Sequence, residues 1–312
     1  MSRNYGLGSR NMYMAGRFAL NNSVKNRILS FATASVVAER WRLFALWAVK
    51  NGVKKMERIT RELVVNYGKD LVKRIDGGVL SVATAHVYVS AINTIMSIAV
   101  GDVWKKISPT RDCEIPQRCA VRKTSPGGLN QGSFKSAIDA VCKKYGERLA
   151  CVVALMRVFG LRSKEASLIN AKRAFLEAVD YGEMTVGYGT KGGRERKVPV
   201  NTKEKIELLE NAAIAQANDF SMIPADTSWM IWQRGSLKAA RKIVRDRTSG
   251  GLHDLRSAYA CERYAEITGN SAPAAGGKIT DMQQDFEARK IISTELGHNR
   301  IDVVAEYVGG RR

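Results

Sequence analysis

Two of the three histidines in this 312-residue sequence lie in short polar segments whose residue types could do chemistry. His253 opens the segment His-Asp-Leu-Arg, which ends at Arg256, and His298 follows a Leu-Gly pair shortly before Tyr307. Histidine exchanges protons near neutral pH, arginine binds an anionic oxygen through paired hydrogen bonds, and tyrosine can attack as a nucleophile. Together these residue types suit the cleavage of a phosphate ester. The third histidine, His86, falls on an otherwise apolar helix, where packing or capping explains it better.

Further candidate residues lie where regular structure is predicted to break. Arg162 belongs to a Gly-Leu-Arg-Ser-Lys-Glu segment, in which a glycine ends one helix and Glu165 lies at the start of the next. Lys191 lies in a glycine-rich turn of the hairpin predicted at 183–200. Glu165 could orient an arginine or a histidine, or simply favour the N-terminus of its helix. Three other basic residues of the hairpin could take the place of Lys191: Arg194, Arg196 and Lys197.

The order of these segments resembles that of the tyrosine recombinase family, which includes the phage integrases. The family's Gly-Leu-Arg segment, its lysine-bearing hairpin, its His-x-Leu-Arg box and its Leu-Gly-His segment with a following tyrosine are matched around Arg162, Lys191, Arg256 and Tyr307. One such motif alone is weak evidence, whereas four in the family's order are specific. They cover roughly residue 134 to the end of the sequence. The N-terminal part fits the family's core-binding domain only in general character.

This resemblance implies a role for each candidate residue. Tyr307 would be the nucleophile and would form a 3′-phosphotyrosyl bond with DNA, which conserves the energy of the broken bond and requires no cofactor. Arg162 and Arg256 would stabilise the extra negative charge on the non-bridging phosphate oxygens. Lys191 would protonate the departing 5′-oxygen, and His253 would act as general base toward the tyrosine and as acid in the return step.

The remaining assignments complete a site without a metal ion. The resemblance implies that His298 forms a hydrogen bond with the phosphate and that Glu165 acts from behind the site by orienting an arginine or histidine. The five cysteines are scattered and lack zinc-site spacing, so the sequence predicts reduced structural thiols. The stretch at 187–192 formally fits a dinucleotide-binding fingerprint, but a basic strand follows it where that fingerprint needs a helix.

The overall charge favours a nucleic-acid partner. Lysine and arginine number 50 against 30 aspartate and glutamate, which gives a formal net charge of +20. Such an excess attracts polyanions, and double-stranded DNA is the first candidate. A protein of the membrane surface is an alternative, but no lipid-anchor motif is present and no apolar run approaches the roughly 18 residues of a spanning helix. Because the N-terminus does not resemble a signal peptide, we expect a cytoplasmic, nucleoid-associated protein that does not bind a membrane.

The spacing of apolar residues predicts a mainly α fold with a small antiparallel β-sheet. Residues 1–108 are predicted to form a helical core-binding domain, and residues 133–312 the tyrosine-recombinase catalytic domain. A basic linker, rich in proline and glycine, is predicted at 109–132. The predicted helices lie near these positions: 24–50, 56–71, 79–103, 134–159, 201–217, 236–247, 253–267 and 291 onward.

The sequence departs from the family pattern in two places that bear on assembly. The interval from Arg256 to His298 is longer than usual, and the excess falls at 268–286, an insertion that could contact DNA, a neighbouring protomer or an accessory protein. Only residues 308–312 follow the tyrosine in this sequence, too few for the C-terminal helix that many relatives pass to the next subunit. The resemblance implies a homotetramer on two DNA sites, with accessory or directionality proteins as further partners. We therefore expect its protomers to couple through another surface, or to couple weakly.

The function that the resemblance implies is site-specific DNA recombination, for integration or excision of a mobile element. A type IB topoisomerase shares the tyrosine chemistry and works as a monomer, but the Leu-Gly-His segment and the late position of Tyr307 favour a recombinase. A non-catalytic accessory DNA-binding protein on the same fold is a further alternative. Such a protein would have no reason to keep the full set of candidate catalytic residues.

Overall fold

The structure is a computed structural model that describes residues 3–311. Residues 1, 2 and 312, which belong to the predicted first and last domains, lie outside the described residues. The chain divides into two compact units, Met1–Cys119 and Ala120–Arg312. Each unit has a hydrophobic core of its own.

Residues of the predicted linker belong to both units. Cys113 and Ile115 are fully buried in the core of the first unit. In the second unit, Gly127 lies so close to Gly250 that a Cβ atom at Gly127 would come within 2.4 Å of the Gly250 Cα. Backbone contact of this kind requires glycine, which explains why this part of the predicted linker is rich in that residue.

The first unit is helical throughout its regular structure, as far as residues 3–119 are described. The helices are α1, Met12–Lys25; α2, Phe31–Lys50; α3, Arg61–Asp76; and α4, Val82–Val100. Each starts after a polar side chain that accepts a hydrogen bond from the first turn, as helix N-caps do. The single helix predicted at 24–50 is wrong in its first part. The Ser30 side chain caps a new helix there, and Arg27 has a φ of +57°, which interrupts the helical path.

Aromatic side chains fill the core of the first unit. The ring of Phe44 lies between those of Trp41 and Tyr67, with centroid distances of 5.4 and 5.2 Å. The indole nitrogen of Trp41 donates to the carbonyl oxygen of Met12 at 3.2 Å. A Cβ at Gly16 would lie 2.2 Å from that nitrogen, so glycine at this position allows α1 and α2 to pack closely.

One segment of the first unit, Val82–Val103, is long and apolar enough to cross a membrane by length and composition alone, with a mean hydropathy of 1.3. It includes α4, which contacts α1, α2 and α3. Val89, Ile92 and Ile95 of α4 are fully buried. Packing in a protein core therefore accounts for its apolar character. Polar residues such as His86 and Asn93 interrupt the segment, so it contains no uninterrupted apolar run of spanning length.

The second unit contains helices and one β-hairpin. Its elements are α5, Gln131–Tyr145; α6, Glu147–Val158; α7, Ser163–Leu168; α8, Ala171–Tyr181; β1, Glu183–Val186; β2, Arg196–Pro199; α9, Lys203–Gln216; α10, Trp229–Arg234; α11, Ser236–Thr248; α12, Leu252–Thr268; α13, Met282–Glu295; and α14, Ala305–Val308. The predicted fold class, mainly α with a small antiparallel sheet, is confirmed.

Three helix predictions for this unit need correction. The helix predicted at 134–159 is two helices, because Gly146 between them has a φ of +87°. The last helical section, predicted from residue 291, begins at Met282 inside the predicted insertion, where Asp281 accepts hydrogen bonds from two amides of the first turn. The helices α8 and α10 were not predicted at all.

The two strands are joined by the predicted lysine turn. β1 and β2 are antiparallel, with Glu183 opposite Pro199 and Val186 opposite Arg196. Alternate residues face the core, and Met184 and Val198 are fully buried. Arg196 occupies an inward-facing position of the same pattern, although it is charged.

Candidate active site

Tyr307 lies in α14, directly after the 3-10 turn Ile301–Val304. Its side chain is buried, with 3% of its surface exposed. The hydroxyl oxygen lies 2.9 Å from Nε2 of His298. His298 follows α13 at a turn in which Gly297 has a φ of +68°, a conformation that suits glycine. The turn therefore returns the chain so that histidine and tyrosine meet.

His298 is an acceptor of hydrogen bonds in this site. Burial, and next the charge of Arg256, lower the pKa of His298 to about 4, so the imidazole is neutral at pH 7. Nη2 of Arg256 also faces Nε2 of His298, at 3.3 Å. Because a guanidinium can only donate, Nε2 is the unprotonated nitrogen, and its single lone pair is shared between Arg256 at 3.3 Å and the Tyr307 hydroxyl at 2.9 Å.

Arg256 lies on α12 and is fully buried. Its terminal nitrogens donate to the carbonyl oxygens of Gly160 and Leu296. Its guanidinium carbon lies 5.6 Å from the centre of the Tyr307 ring. Burial, and next the neighbouring Arg162, lower the pKa of Arg256 to about 10. The guanidinium is thus still charged at neutral pH and is held next to the tyrosine.

The carboxylate of Glu165 lies close to three arginine side chains. Its carboxylate is fully buried and accepts from Nη1 of Arg162 at 2.7 Å and from two nitrogens of Arg196, at 3.0 and 2.7 Å. It also accepts from the backbone amide of Arg162 at 2.8 Å and lies 3.8 Å from Arg256. Despite its burial, the pKa of Glu165 falls to about 2, chiefly because of Arg196. Arg162 stands at the N-cap position of α7, and Ser163 is the first residue of that helix.

Arg196 was not predicted as part of the site. It is 7% exposed and also donates through Nε to the backbone oxygen of Glu295, at 2.7 Å. The sequence offers Arg196 only as a replacement for Lys191, but its side chain is buried and paired with Glu165, which holds it away from that role. The alternation of β2 could have revealed it, because Arg196 and Val198 share the inward-facing side.

A basic pocket opens beside these residues. It has a volume of about 420 Å³, and none of the described residues that line it is acidic. His253 lies at its edge, at the start of α12, with its ring centre 5.8 Å from that of Tyr307. Partial burial, and next the charge of Arg256, lower the pKa of His253. The cationic residues that line the pocket are Arg162, Arg241, Arg245 and Arg256.

The remaining candidate, Lys191, lies apart from this cluster. It is exposed in the turn between β1 and β2, where Gly189, Gly192 and Gly193 all have positive φ values. Its charge contributes a small part of the lowering of the His298 pKa, so the turn lies on the side of the active site. Within residues 3–311, no group of three histidine, cysteine or acidic side chains is arranged to hold a metal ion.

Comparisons with known proteins bear on the family and on the fold. Residues 118–262 match the profile of the Integrase family, and this stretch includes Arg162, Lys191 and Arg256. No curated protein sequence matches the chain. The folds of several solved recombinases are similar over almost the whole chain.

A lambda integrase tetramer bound to a Holliday junction has a TM-score of 0.59 and 14% identity, and covers 96% of this chain and 77% of its own. The Tn1549 transposon integrase in complex with transposon right end DNA has a TM-score of 0.58 and 10% identity, over 95% of both chains. XerH site-specific recombinase bound to difH substrate has a TM-score of 0.57 and 17% identity, over 95% of this chain and 81% of its own. The chain therefore has the fold of these recombinases, and its residues 118–262 resemble the Integrase family.

Proposed function

We propose that this protein is a site-specific DNA recombinase that cleaves and rejoins DNA through a 3′-phosphotyrosyl bond at Tyr307. The observation that carries the proposal is the 2.9 Å contact between the Tyr307 hydroxyl and His298, next to Arg256 and a pocket lined by arginines. A nucleophile, a proton acceptor and cationic groups for a phosphate thus lie within one site. These are the components that transfer of a phosphodiester to tyrosine requires.

The contacts favour His298 as the group that takes the tyrosine proton. His298 is neutral at pH 7, and its Nε2 already faces the hydroxyl. His253, which the sequence suggested for this role, lies at the pocket edge, where it can instead donate to a phosphate oxygen. As the Tyr307 oxygen bonds to phosphorus, its proton passes to His298 and the bond to the 5′-oxygen breaks. Lys191 supplies the proton for that leaving oxygen, and the exposed turn allows it to reach the DNA.

Arg162 and Arg256 stabilise the phosphate in different ways. Arg162 lines the pocket with 24% of its side chain exposed, so it can bind a non-bridging oxygen directly. Arg256 is held by backbone carbonyls and acts from the floor of the site. Glu165 fixes Arg162 and, through Arg196, braces the hairpin against α7. Preorganised charge of this kind stabilises a phosphorane because little reorientation is needed during the reaction.

The substrate we propose is double-stranded DNA, and the biological use is integration or excision of a mobile element. The net charge of +20 suits such a polyanion. Because a lambda integrase of similar fold was solved as a tetramer on a Holliday junction, we infer a homotetramer that joins two DNA sites. Accessory or directionality proteins, and action at the nucleoid, belong to the same proposal.

The test is the capture of a covalent protein–DNA complex. The protein is incubated with a nicked duplex from the ends of its own element, in EDTA and without ATP, and run on a denaturing gel. We expect a shifted, protease-sensitive band that is absent from Tyr307→Phe and retained in Tyr181→Phe, a matched control whose side chain is 75% exposed. An adduct in Tyr307→Phe would refute the assignment of the nucleophile. DNA binding without any adduct in the wild type would favour a non-catalytic accessory protein.

A type IB topoisomerase makes the same covalent bond, so a second assay separates the two activities. A recombinase acts at its own sites and exchanges strands between two duplexes. Relaxation of a supercoiled plasmid that lacks those sites, at a rate equal to that of a plasmid containing them, would favour the topoisomerase.

A further inference from the structure

The turn that carries Lys191 is packed on one side and open on the other. Gly189 has a φ of +75°, and a Cβ atom there would lie 2.9 Å from the carbonyl oxygen of Lys164 and 3.1 Å from the amide nitrogen of Glu165. The two residues after Lys191 are glycines with positive φ values, where a Cβ atom would meet nothing within 4 Å. The first side of the turn is thus anchored on α7. Lys191, two positions after Gly189, has its Cα within about 7 Å of this anchor.

An edge-to-face aromatic contact holds the same side of the turn. The ring centre of Tyr188 lies 5.5 Å from that of Phe220, and the ring planes meet at 85°. In this arrangement the positive edge of one ring faces the negative face of the other, which attracts the two rings. Tyr188 directly precedes Gly189, so the aromatic contact and the glycine packing fix neighbouring residues.

Phe220 lies in a loop whose backbone is anchored on both sides of it. Asp219 accepts hydrogen bonds from Nη1 of Arg148 at 2.5 Å and from the backbone amide of Ala225 at 3.0 Å. Met222, two residues after Phe220, is fully buried. The Phe220 side chain itself is 66% exposed, so it adds little to the core of the second unit. Its position on a fixed loop suits it instead to support the neighbouring turn.

We propose that Tyr188 and Phe220 form a clamp that fixes the base of the turn and so sets the reach of Lys191 toward the departing 5′-oxygen. Both are positioning residues, because they act through the backbone of the turn while Lys191 gives the proton. As the Tyr307 oxygen bonds to phosphorus, the bond from phosphorus to the 5′-oxygen breaks, and that oxygen takes a proton from the Lys191 ammonium. This inference rests on the proposed function for its catalytic consequence, although the fixing of the turn can be measured without any reaction.

Sulfur in place of the scissile 5′-oxygen of the nicked duplex tests the delivery of the proton. A thiol is far more acidic than an alcohol, so the thiolate leaves without a proton from Lys191. In single-turnover cleavage, Lys191→Met should lose at least about 100-fold on the oxygen substrate and little on the sulfur substrate. The clamp variants, Tyr188→Ala and Phe220→Ala, should lose about twofold to tenfold on oxygen, the effect of one aromatic pair, and nothing on sulfur.

Matched variants separate this role from a general loss of structure. Ile214→Ala removes an apolar side chain of α9 that is 68% exposed and should leave both rates unchanged. Tyr188→Phe and Phe220→Tyr keep the rings and should cleave as the wild type does. An equal loss on both substrates in Phe220→Ala, or full activity of Lys191→Met on oxygen, would overturn the proposal. Absence of any wild-type adduct would reject the proposed function instead, and the clamp would then be judged by the next measurement.

Limited digestion with trypsin measures the fixing of the turn without any reaction. Trypsin cuts after Lys191 and Arg194, which are exposed, but the surrounding chain must open locally to enter the protease. Fragments that end at these residues, followed by mass spectrometry, should form about twofold to tenfold faster in both clamp variants and at the wild-type rate in Ile214→Ala. Cutting after Arg157, which is 2% exposed, reports global unfolding and should stay slow throughout. Unchanged cutting of the turn in both clamp variants would overturn the proposal.

Discussion

Replacement of Glu165 by glutamine tests whether one buried carboxylate holds the active site together. The pKa of Glu165 is lowered from its ordinary 4.5 to about 2 by its arginine partners. Because a tenfold change in a protonation equilibrium is worth about 1.4 kcal/mol, this lowering corresponds to about 3 kcal/mol of stability at neutral pH. The same order follows from the cost of removing one partner of a buried ion pair, about 3–5 kcal/mol. Glu165→Gln should therefore lose about 3 kcal/mol of unfolding free energy at pH 7.

The lowered pKa of Glu165 also predicts how the stability changes with pH. A carboxyl whose pKa is lower in the folded state contributes its stability above the unfolded pKa, and the contribution is lost as pH falls from about 4.5 toward 2. The difference in unfolding free energy between wild type and Glu165→Gln should thus be largest at neutral pH and should become smaller below pH 4.5. Hydrogen exchange of the α12 amides in increasing urea measures the stability of the second unit directly.

A matched control separates the buried ion pairs from the loss of a charge alone. Glu210 on α9 is exposed, so Glu210→Gln should change the unfolding free energy by less than about 0.5 kcal/mol. Equal stability of Glu165→Gln and wild type at pH 7 would refute the reasoning. So would a difference between them that stays constant from pH 7 to pH 3, because it could not then arise from the carboxylate charge.

Three further predictions concern the reaction and the backbone. Arg162→Ala should lower the single-turnover cleavage rate by about 100- to 1000-fold while DNA binding persists; near-normal cleavage would remove Arg162 from the phosphate site. With DNA far below saturation, where the pH profile reports the free protein, wild-type cleavage should hold its rate as pH falls through 6.5 and decline only toward pH 4, where His298 becomes protonated; a midpoint near 6.5 would exclude His298 as the base. Gly160→Ala should lower the Tm, at a cost of about 1–3 kcal/mol, because φ is +61° and the new Cβ would lie 2.4 Å from the Tyr259 ring; an unchanged Tm would contradict that backbone conformation.

The parts of the fold that the sequence predicted are those with local signals. Strand alternation and a glycine-rich turn predicted the hairpin, and apolar spacing predicted the long helices. The errors lie where one residue decides the path of the backbone. Gly146 divides a long apolar stretch into α5 and α6, and Ser30 starts α2 anew. A periodic pattern averages over such single positions, so the boundaries were missed.

The candidate site was predictable in its residue types but not in their contacts. The motifs identified Tyr307, Arg256 and His298, which the structure brings together. They could not tell which histidine faces the tyrosine, because this depends on the turn at Gly297 and the packing of α13 against α12. Arg196 was missed for a similar reason, since its partner Glu165 lies 31 positions earlier in the chain.

The charges of the site explain why several pKa values shift in the same sense. Three guanidinium groups, those of Arg162, Arg196 and Arg256, surround the single carboxylate of Glu165. The surplus positive charge disfavours any further cation, and it adds to burial in lowering the pKa values of His253 and His298. A bound phosphodiester brings one negative charge, and the phosphorane of the proposed reaction brings a second. The net positive charge of the site is therefore largest when the site is empty and is best neutralised at the transition state. Stronger binding of the transition state than of the substrate is the condition for catalysis.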